Sequence, residues 1–389
     1  MNETPSFHPA SPILNFCPPS LPATWYFDED HYKREVAAIH ATNWIYAGRI
    51  NDLPRLTMRR IEVAGQSLFL IKDGEDNIRC FHNTCRHRGA ELCQHRDTRL
   101  KAKLITCPYH EWGYDLSGNL VQTPHVTAAA GFDRTESGLF PVHIKTWNGF
   151  IFVCLAHVPP DFEKIADLGL NALDNWPMAQ LVTGDRRVKI VNCNWKVFWE
   201  NYNECLHCPG IHASLCDLVP IYRNGVMSVS EIEGWTPDQP VTPVLKAGAR
   251  SWTVNGNPCG PEFPDLTEVQ RSAGFLFVTL LPTMYIVGHV DYVRVVSVRP
   301  LGPEKTELTA EWLFPAETLT ADTFNLGNVV EFASTVMFED GAACEMNQRG
   351  FRSNQFKHGT LMPQEFDVYN FQQWVRQKLG EPPAALDRP

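Results

Sequence analysis

The sequence lacks any run of basic residues. Its 34 Lys and Arg side chains are outnumbered by 44 Asp and Glu side chains, and the formal net charge is −10 at pH 7. Proteins that bind nucleic acid neutralise its phosphates with clustered Lys and Arg residues. The composition therefore argues against a polynucleotide as substrate or partner.

Long apolar runs are also missing. The longest apolar stretch, residues 273–287, contains Pro282 and is shorter than the roughly 20 residues of a membrane-spanning helix. We interpret it as two strands around a turn. Residues 1–22 are rich in Pro and Ser, with neither the basic start nor the apolar core of a signal peptide. We expect a cytoplasmic protein that does not contact a membrane.

Two further patterns are absent from the sequence. No Gly-x-Gly-x-x-Gly motif follows a predicted strand, and no internal repeat occurs. The first absence argues against a nicotinamide- or flavin-binding domain within this chain. Any electrons that its chemistry uses would have to come from a separate protein.

The length predicts more than one domain. At 389 residues, the chain exceeds the roughly 250–300 residues that one hydrophobic core usually serves. Short alternating strands with turn signals occupy residues 57–155. After Pro159 and Pro160 we predict a helix over 195–207, several strands within 226–300 and a final helix over 363–379 that ends at Gly380.

We predict an α+β fold. A helix over residues 28–44, with Asp28 as its N-terminal cap, would dock on the larger domain. We expect residues 1–44 to be an N-terminal extension and docking helix that packs with the larger domain, and residues 45–158 to be a small antiparallel β domain. Residues 159–380 would form the larger domain, an antiparallel sheet flanked by helices, and residues 381–389 a loose tail.

The 12 cysteines raise the question of disulfides or metal sites. In the expected cytoplasmic setting thiols stay reduced, so clustered Cys and His residues are better explained as metal ligands. One cluster contains Cys85-x-His87 and, after 19 further residues, Cys107-x-x-His110. Each half supplies one thiolate and one imidazole, whereas structural zinc sites favour two Cys in one half and two His in the other. The order predicts a Rieske [2Fe-2S] cluster, in which two Cys hold one iron and two His hold the other.

The alternative explanation of this cluster is a zinc knuckle, or buried thiols beside core histidines. A zinc-stabilised binding module would be colourless, which separates it from an iron-sulfur protein. The remaining cysteines, including Cys80, Cys93 and Cys154, are interpreted as small core residues.

A second cluster contains His207 and His212. On one continuous helix these side chains would point about 140° apart. Pro209 and Gly210 lie between them, so we expect the helix to end at His207 and the chain to turn back, bringing His212 to the same metal. Two imidazoles and one carboxylate leave positions on Fe(II) open for oxygen chemistry. The candidates for the carboxylate are Glu200, Glu204 and Asp340; the alternative is a pair of satisfied core histidines.

Together the two clusters resemble the catalytic (alpha) subunits of Rieske non-haem iron oxygenases. The resemblance covers most of the chain and rests on Cys85-x-His87-Arg-Gly89, Cys107-Pro-Tyr-His110-x-Trp112, Asn194-Trp195-Lys196, Glu204-x-x-His207-x4-His212, Glu339-Asp340 and Gln348-Arg349-Gly350-x-x-Ser353. It implies that 45–158 is the Rieske domain and 159–380 the catalytic domain. It also implies one [2Fe-2S] cluster and one mononuclear Fe(II) per subunit, with Asp340 as the third iron ligand.

The resemblance further implies an assembly and an electron donor. In the family, subunits form head-to-tail homotrimers in which one subunit's cluster faces the next subunit's iron, and a carboxylate bridges the ligand histidines. Here that catalytic carboxylate would be Glu204. Electrons would come from a separate NAD(P)H-dependent reductase with flavin and iron-sulfur groups.

The bridging position points to one branch of this family. Many ring-hydroxylating members have Asp there, whereas this chain has Glu204-Cys205-Leu-His207-Cys208. The departure resembles the quaternary-ammonium branch, which includes carnitine monooxygenase, glycine betaine monooxygenase and stachydrine demethylase. It implies a terminal monooxygenase that uses O2 and NAD(P)H to hydroxylate and N-demethylate, or cleave the C–N bond of, a small betaine-like compound.

Two other functions stay open at this point. One is a ring-hydroxylating oxygenase that acts on an aromatic acid, and the other is a Rieske electron carrier, which would need only the first domain. Aromatic residues could line a pocket for an ammonium group through cation–π contacts, or belong to the ordinary core. They are Trp252, Phe275, Phe277, Tyr285 and Phe338.

Overall fold

The computed structural model describes residues 13–167, 169–228, 231 and 244–383. Contacts divide the chain into two compact units: a larger one, Met1–Glu35, Asp167–Pro177 and Leu181–Pro389, and a smaller one, Val36–Ala166 and Met178–Gln180. The start of the predicted extension and most of the predicted loose tail lie outside the described residues. The four-part division expected from the sequence stays a prediction.

The smaller unit contains ten antiparallel strands among the described residues. Seven form one sheet in the order β1-β10-β9-β4-β3-β2-β5, and three form another in the order β6-β7-β8. The strands are β1 Ile45–Arg49, β2 Thr57–Val63, β3 Gln66–Lys72, β4 Ile78–His82, β5 Asp97–Arg99, β6 Ile105–Thr106, β7 Gly113–Tyr114, β8 Leu120–Gln122, β9 Pro141–Trp147 and β10 Phe150–Cys154.

Strand β3 is buried on both faces of the seven-stranded sheet. Successive side chains of a strand point to opposite faces. Leu68 and Leu70 pack into one buried cluster, and Phe69 and Ile71 pack into another. The second cluster also contains the two predicted cysteine ligands, so the candidate iron-sulfur site sits on a packed core.

The larger unit contains a five-stranded antiparallel sheet in the order β11-β15-β14-β13-β12. Its strands are β11 Val182–Val191, β12 Phe275–Leu280, β13 Met284–His289, β14 Val293–Gly302 and β15 Lys305–Phe314. The interpretation of residues 273–287 as two strands around a turn is confirmed by β12 and β13. Strand β13 is buried along its whole length, so both faces of the sheet are covered there.

Helices accompany these sheets, and the α+β prediction is confirmed. Within the described residues they are α1 Glu29–Glu35, α2 Phe162–Asp167, α3 Trp195–Tyr202, α4 Cys208–Ile211, α5 Ala213–Leu218, α6 Glu268–Ala273, α7 Ala316–Thr320, α8 Leu326–Gly350 and α9 Phe366–Leu379. None of them is both long and apolar enough to cross a bilayer.

The N-terminal and C-terminal helices differ from the predictions at one end each. Asp28 caps α1 as predicted, since its Oδ1 accepts a hydrogen bond from His31 N at 2.7 Å, but helical structure ends with the π-helical turn Val36–His40 rather than at residue 44. Helix α9 ends before Gly380, which adopts a positive φ of 68°. It begins three residues late because the Pro363 carbonyl accepts a hydrogen bond from Leu14 N.

The helix predicted over 195–207 is wrong beyond Tyr202, where α3 ends. The Glu204 carboxylate accepts hydrogen bonds from the backbone N–H groups of Leu206 and His207. A side chain that binds nearby backbone N–H groups competes with helix continuation. A new short helix, α4, therefore begins after His207 instead of α3 continuing through it.

The expectation of reduced cysteines is wrong for one pair. Cys205 and Cys208 form a disulfide, with their Cα atoms 5.0 Å apart. The break after α3 brings the two residues within the reach that a disulfide requires. Cys80, Cys93 and Cys154 are buried free thiols, as predicted.

Candidate metal centres

The four predicted cluster ligands lie on two loops of the smaller unit, and each loop closes on itself. In the first loop, Cys85 N donates a hydrogen bond to Ala90 O at 2.8 Å. In the second, Cys107 N donates one to Trp112 O, also at 2.8 Å. Each cysteine is thereby fixed at the base of a tight loop that carries one histidine.

The side chains of these loops converge. The ring centroids of His87 and His110 are 4.7 Å apart. Burial raises the pKa of the buried Cys107 thiol, and the neighbouring Cys85 thiol raises it further. Nδ1 of His87 is buried and has no hydrogen-bond partner among the described residues. Two buried thiols beside two imidazoles, one with an unpaired nitrogen, fit a [2Fe-2S] cluster with mixed Cys and His ligands.

Tyr114 belongs to this site, although the sequence did not predict it. Its hydroxyl lies 3.2 Å from Cys85 Sγ and accepts a hydrogen bond from Arg86 N at 3.0 Å. Hydrogen bonds to cluster sulfurs tune the reduction potential. No sequence signal marked Tyr114, because its distance from Cys85 along the chain gives no indication that the two side chains meet.

His207, His212 and Asp340 come together in the larger unit. Candidate donor atoms of these three side chains all lie within 4.8 Å of one another. Asp340 Oδ1 is 2.8 Å from His212 Nε2 and 3.4 Å from His207 Nε2. Two imidazoles and one carboxylate oxygen therefore fit a metal ion that keeps open coordination positions.

Local structure explains how two histidines five residues apart converge. His207 directly precedes α4, and His212 lies between α4 and α5. The expected turn at Pro209 and Gly210 is wrong, since both residues lie inside α4. Proline is tolerated in the first turn of a helix, where its missing N–H group has no intrahelical partner. Asp340 comes from the long helix α8.

Each histidine has a carboxylate within hydrogen-bond distance of its Nδ1 atom. Glu204 Oε1 lies 2.5 Å from His207 Nδ1, and Glu339 Oε2 lies 2.7 Å from His212 Nδ1. Such carboxylates hold the proton on Nδ1 and direct Nε2 toward a metal. The role of Glu339 was not predicted from the sequence, where its position next to Asp340 was the available signal.

The charges of this centre favour a cation. Burial alone would lower the pKa of His207, but Asp340 and Glu204 raise it to about 9. The pKa of His212 is also raised, chiefly by Asp340 acting against burial. A divalent metal would replace the Nε2 protons that face Asp340, while Glu204 and Glu339 would keep the protons on Nδ1.

Glu200, the remaining candidate carboxylate, is not part of the group of candidate ligand atoms around Asp340. It is buried and accepts hydrogen bonds from Tyr26 Oη at 2.6 Å and Gln372 Nε2 at 2.9 Å. Burial raises its pKa to about 7. The side chain therefore belongs to the packing of α3 rather than to the group around Asp340.

An open cleft with about 600 Å³ of empty space adjoins the triad. Its described lining combines the three candidate ligands with aromatic rings and a guanidinium group. The aromatic rings other than the two histidines, and the guanidinium group, belong to Phe198, Tyr202, Tyr222, Trp252, Phe277, Tyr285 and Arg294.

Three of the five aromatic residues considered from the sequence line this cleft: Trp252, Phe277 and Tyr285. Phe275 packs against Trp252, with ring centroids 4.9 Å apart. Phe338 is 60% exposed and lies under Lys189 Nζ at 4.0 Å, so it contributes to the surface instead.

Known families match both parts of the chain. Residues 173–381 match the family described as "Ring hydroxylating alpha subunit (catalytic domain)", and residues 43–144 match "Rieske [2Fe-2S] domain". The electron-carrier and zinc-module alternatives are thereby excluded, because neither type of protein has this catalytic domain.

Individual proteins share the architecture at low identity. The glycine betaine monooxygenase oxygenase subunit of Pseudomonas aeruginosa is 26% identical, over 92% of this chain and 89% of that protein. The carnitine monooxygenase oxygenase subunit of Escherichia coli is 31% identical, over 52% and 55%. In fold, a quaternary ammonium Rieske monooxygenase matches with a TM-score of 0.73 and 22% identity over 92% of this chain and 95% of that one.

A ring-hydroxylating enzyme shares the fold as well. Naphthalene 1,2-dioxygenase from Rhodococcus sp. matches with a TM-score of 0.69 and 19% identity, over 94% of this chain and 95% of that chain. The family matches agree with both sets of candidate ligands. The two Cys and His loops fit an iron-sulfur domain, and the His-His-Asp group fits a non-haem iron domain. The chain is therefore an oxidoreductase of the Rieske non-haem iron oxygenase family, with a Rieske [2Fe-2S] domain followed by the ring-hydroxylating alpha-subunit catalytic domain.

Proposed function

We propose that this chain is the terminal oxygenase of a monooxygenase system that N-demethylates a small quaternary ammonium compound. The observation that carries the proposal is the cleft beside His207, His212 and Asp340, whose walls are aromatic. The glycine betaine monooxygenase oxygenase subunit of Pseudomonas aeruginosa matches 92% of this chain, and its name supports the same substrate class.

The residue roles follow from the two donor sets. Cys85, His87, Cys107 and His110 would hold the [2Fe-2S] cluster. His207, His212 and Asp340 would hold the mononuclear iron. Bound together, these groups supply single-electron transfer and the activation of O2. Glu204 and Glu339 would keep the two imidazoles oriented.

Aromatic rings suit the ammonium end of such a substrate. Tyr202 and Tyr285 stack with centroids 4.1 Å apart, and Trp252 meets Phe277 edge to face at 5.9 Å. A quaternary ammonium makes no hydrogen bonds, so ring faces and dispersion are its main means of recognition, and cation–π contacts strengthen when desolvated. The rings would hold one N-methyl group toward the triad.

The reaction would oxidise a carbon next to nitrogen. One oxygen atom of O2 enters a C–H bond of the substrate, the other leaves as water, and NAD(P)H supplies two electrons through a separate reductase. The resulting N-hydroxymethyl compound loses formaldehyde and a proton, and the C–N electron pair stays on the smaller amine. The cleft's apolar walls would exclude bulk water during the oxidation.

Glu204 would carry the electronic link between subunits. Its side chain is 15% exposed and holds His207 Nδ1 at 2.5 Å. We propose a homotrimer in which Glu204 bridges His207 to His110 of the next subunit, so that each cluster serves the neighbouring iron. The cytoplasmic location stays a prediction from the sequence.

The test combines the purified holoenzyme with a flavin and iron-sulfur reductase, NADH and a substrate panel of glycine betaine, carnitine, choline and benzoate. We expect substrate-dependent formaldehyde in proportion to NADH consumed with at least one N-methyl compound. A hydroxylated or diol product from benzoate, with no turnover of any ammonium compound, would refute the substrate class. The control is Asp340→Ala, which should keep the cluster's visible spectrum but form no formaldehyde.

A further inference from the structure

Arg294 is a buried cation that has no counter-ion among the residues that the structure describes. The residue is 4% exposed, and its buried Nε atom has no hydrogen-bond partner within the described ranges. Within the part of the chain that the structure describes, its guanidinium group makes neither a hydrogen bond nor an ion pair. An uncompensated buried charge is strongly destabilising, and arginine does not lose its proton in proteins. Such a group is retained where a ligand completes it.

The register of the sheet directs this guanidinium into the cleft. In the antiparallel pairs, Arg294 on β14 lies opposite Val287 on β13, and Val287 lies opposite Phe277 on β12. Paired residues share a face of the sheet. Tyr285, two residues before Val287, is on that face as well. The side chains of Phe277, Tyr285 and Arg294 all line the cleft, together with Asp340.

Arg294 is not neutralised by Trp252, His289 or Asp291. The Cζ atom lies 5.8 Å from the Trp252 ring centroid, which gives only a weak cation–π contact. His289 is buried, and burial together with Arg294 holds its pKa well below the ordinary value, so it stays neutral. Asp291 accepts hydrogen bonds from Ser251 Oγ at 2.6 Å and Cys259 N at 2.5 Å instead.

An arginine in a cleft that receives an ammonium group is unfavourable unless the ligand also carries an anion. We propose that Arg294 binds a carboxylate of the substrate, so that the enzyme acts on zwitterionic N-methylated amino acids and discriminates against choline-like cations. This inference rests on the proposed function and narrows its substrate class. The planar guanidinium fork suits a carboxylate in bidentate geometry.

The spacing of the two subsites fits a short zwitterion. Tyr285 and Arg294 are diagonal neighbours across β13 and β14, a relation that separates Cα atoms by roughly 7–8 Å. An ammonium group on the Tyr285 side and a carboxylate on Arg294 would therefore be separated by one to a few carbon atoms. The N-methyl groups would remain on the side of the triad.

The test measures binding to the anaerobic holoenzyme by titration calorimetry, which needs no turnover. The probes are glycine betaine, its uncharged-nitrogen isostere 3,3-dimethylbutyrate, and choline. In the unchanged enzyme we expect glycine betaine to bind most tightly and choline most weakly. Arg294→Met should weaken both carboxylates by roughly 100-fold and leave choline unchanged or tighter. The affinity of Arg294→Lys for both carboxylates should lie between those of the unchanged enzyme and of Arg294→Met. Lysine keeps the positive charge but cannot make the bidentate hydrogen bonds of a guanidinium group.

Structural damage is distinguished by two further measurements. Arg294→Met removes an unpaired buried charge, so the ligand-free variant should melt at the same temperature or higher and keep its cluster spectrum. Arg299→Met, on the same strand, removes an arginine that pairs with Glu307 and should not change the affinity for glycine betaine.

Equal losses for choline and glycine betaine in Arg294→Met, or no loss for either, would overturn the assignment of Arg294. Turnover of N-methyl compounds would then still support the proposed function. Conversely, Arg294-dependent binding of carboxylates without any N-demethylation would retain the anion site and refute the proposed reaction.

Discussion

Replacing Lys196 by methionine should strongly destabilise the larger unit. Lys196 and Glu35 are both fully buried, and their Nζ and Oε1 atoms are 2.5 Å apart. Burial alone would raise the pKa of Glu35, but the Lys196 ammonium group holds it below its ordinary value. Trp195 Nε1 also donates to Glu35 at 2.8 Å. Methionine fills a similar volume but leaves this carboxylate without its cation.

The magnitude follows from breaking one side of a buried ion pair, which costs about 3–5 kcal/mol. For a unit of this size, each kcal/mol lowers the melting temperature by about 2–4 °C, so we expect a fall of about 6–20 °C. Differential scanning calorimetry is the assay, because it separates the transitions of two compact units.

Two variants control this experiment. Lys33→Met removes an exposed partner of Asp30, whose pair is 64% and 91% exposed, and should change stability by less than about 0.5 kcal/mol. The double variant Lys196→Met/Glu35→Gln removes the stranded charge and should recover more than half of the loss. A Lys196→Met protein that melts within 2 °C of the unchanged enzyme would show that Glu35 is not a trapped carboxylate, and the reasoning would fail.

Three further predictions concern the sites. Asp340→Ala should remove the mononuclear iron, measured by metal analysis, and keep the cluster spectrum; retained iron would move the carboxylate role to Glu204. Because burial raises the pKa of Glu200 to about 7, above the value near 4.3 of an unfolded glutamate, the folded state binds more protons between these values. Stability should fall by up to about 3 kcal/mol as pH rises from 4.5 to 7, and melting curves of Glu200→Gln should lose this slope. Tyr114→Phe removes the hydroxyl beside Cys85 Sγ and should lower the cluster's reduction potential in spectroelectrochemical titration; an unchanged potential would exclude that hydrogen bond in the cluster-bound state.

The strands of the smaller unit were predictable because their sequence signals are local. Alternating apolar residues and turn signals mark the region of β2, β3 and β4, and the structure places all three strands inside the predicted strand-rich region 57–155. The order of the Cys and His ligands likewise predicted a Rieske cluster without any knowledge of the fold. Tyr114 was not predictable, since its contact with Cys85 depends on how two loops pack.

The iron centre was only partly predictable, because its parts are distant in sequence. Spacing left three carboxylates open, and the choice among them depends on where α8 passes α3 and α4. Glu200 has the correct chemistry, but it faces Tyr26 and Gln372. Arg294 offered a signal that was missed: it is the charged residue in an otherwise apolar start of strand β14, a position where a cation needs a specific partner.

The error in the length of α3 and the geometry of the iron centre have one cause. A helix running through His207 would also have placed Glu204 on the same face as His207, three residues away. It would, however, have used the backbone N–H groups of Leu206 and His207 for its own hydrogen bonds. Instead, one oxygen of Glu204 binds the backbone N–H groups of Leu206 and His207, while the other binds His207 Nδ1. A single carboxylate thus occupies the N–H groups that a longer α3 would need and fixes the imidazole proton on the side away from Asp340. Because helix propensity describes residues singly, it gives no weight to a side chain that satisfies backbone and imidazole donors at once, and this is where the sequence-based prediction failed.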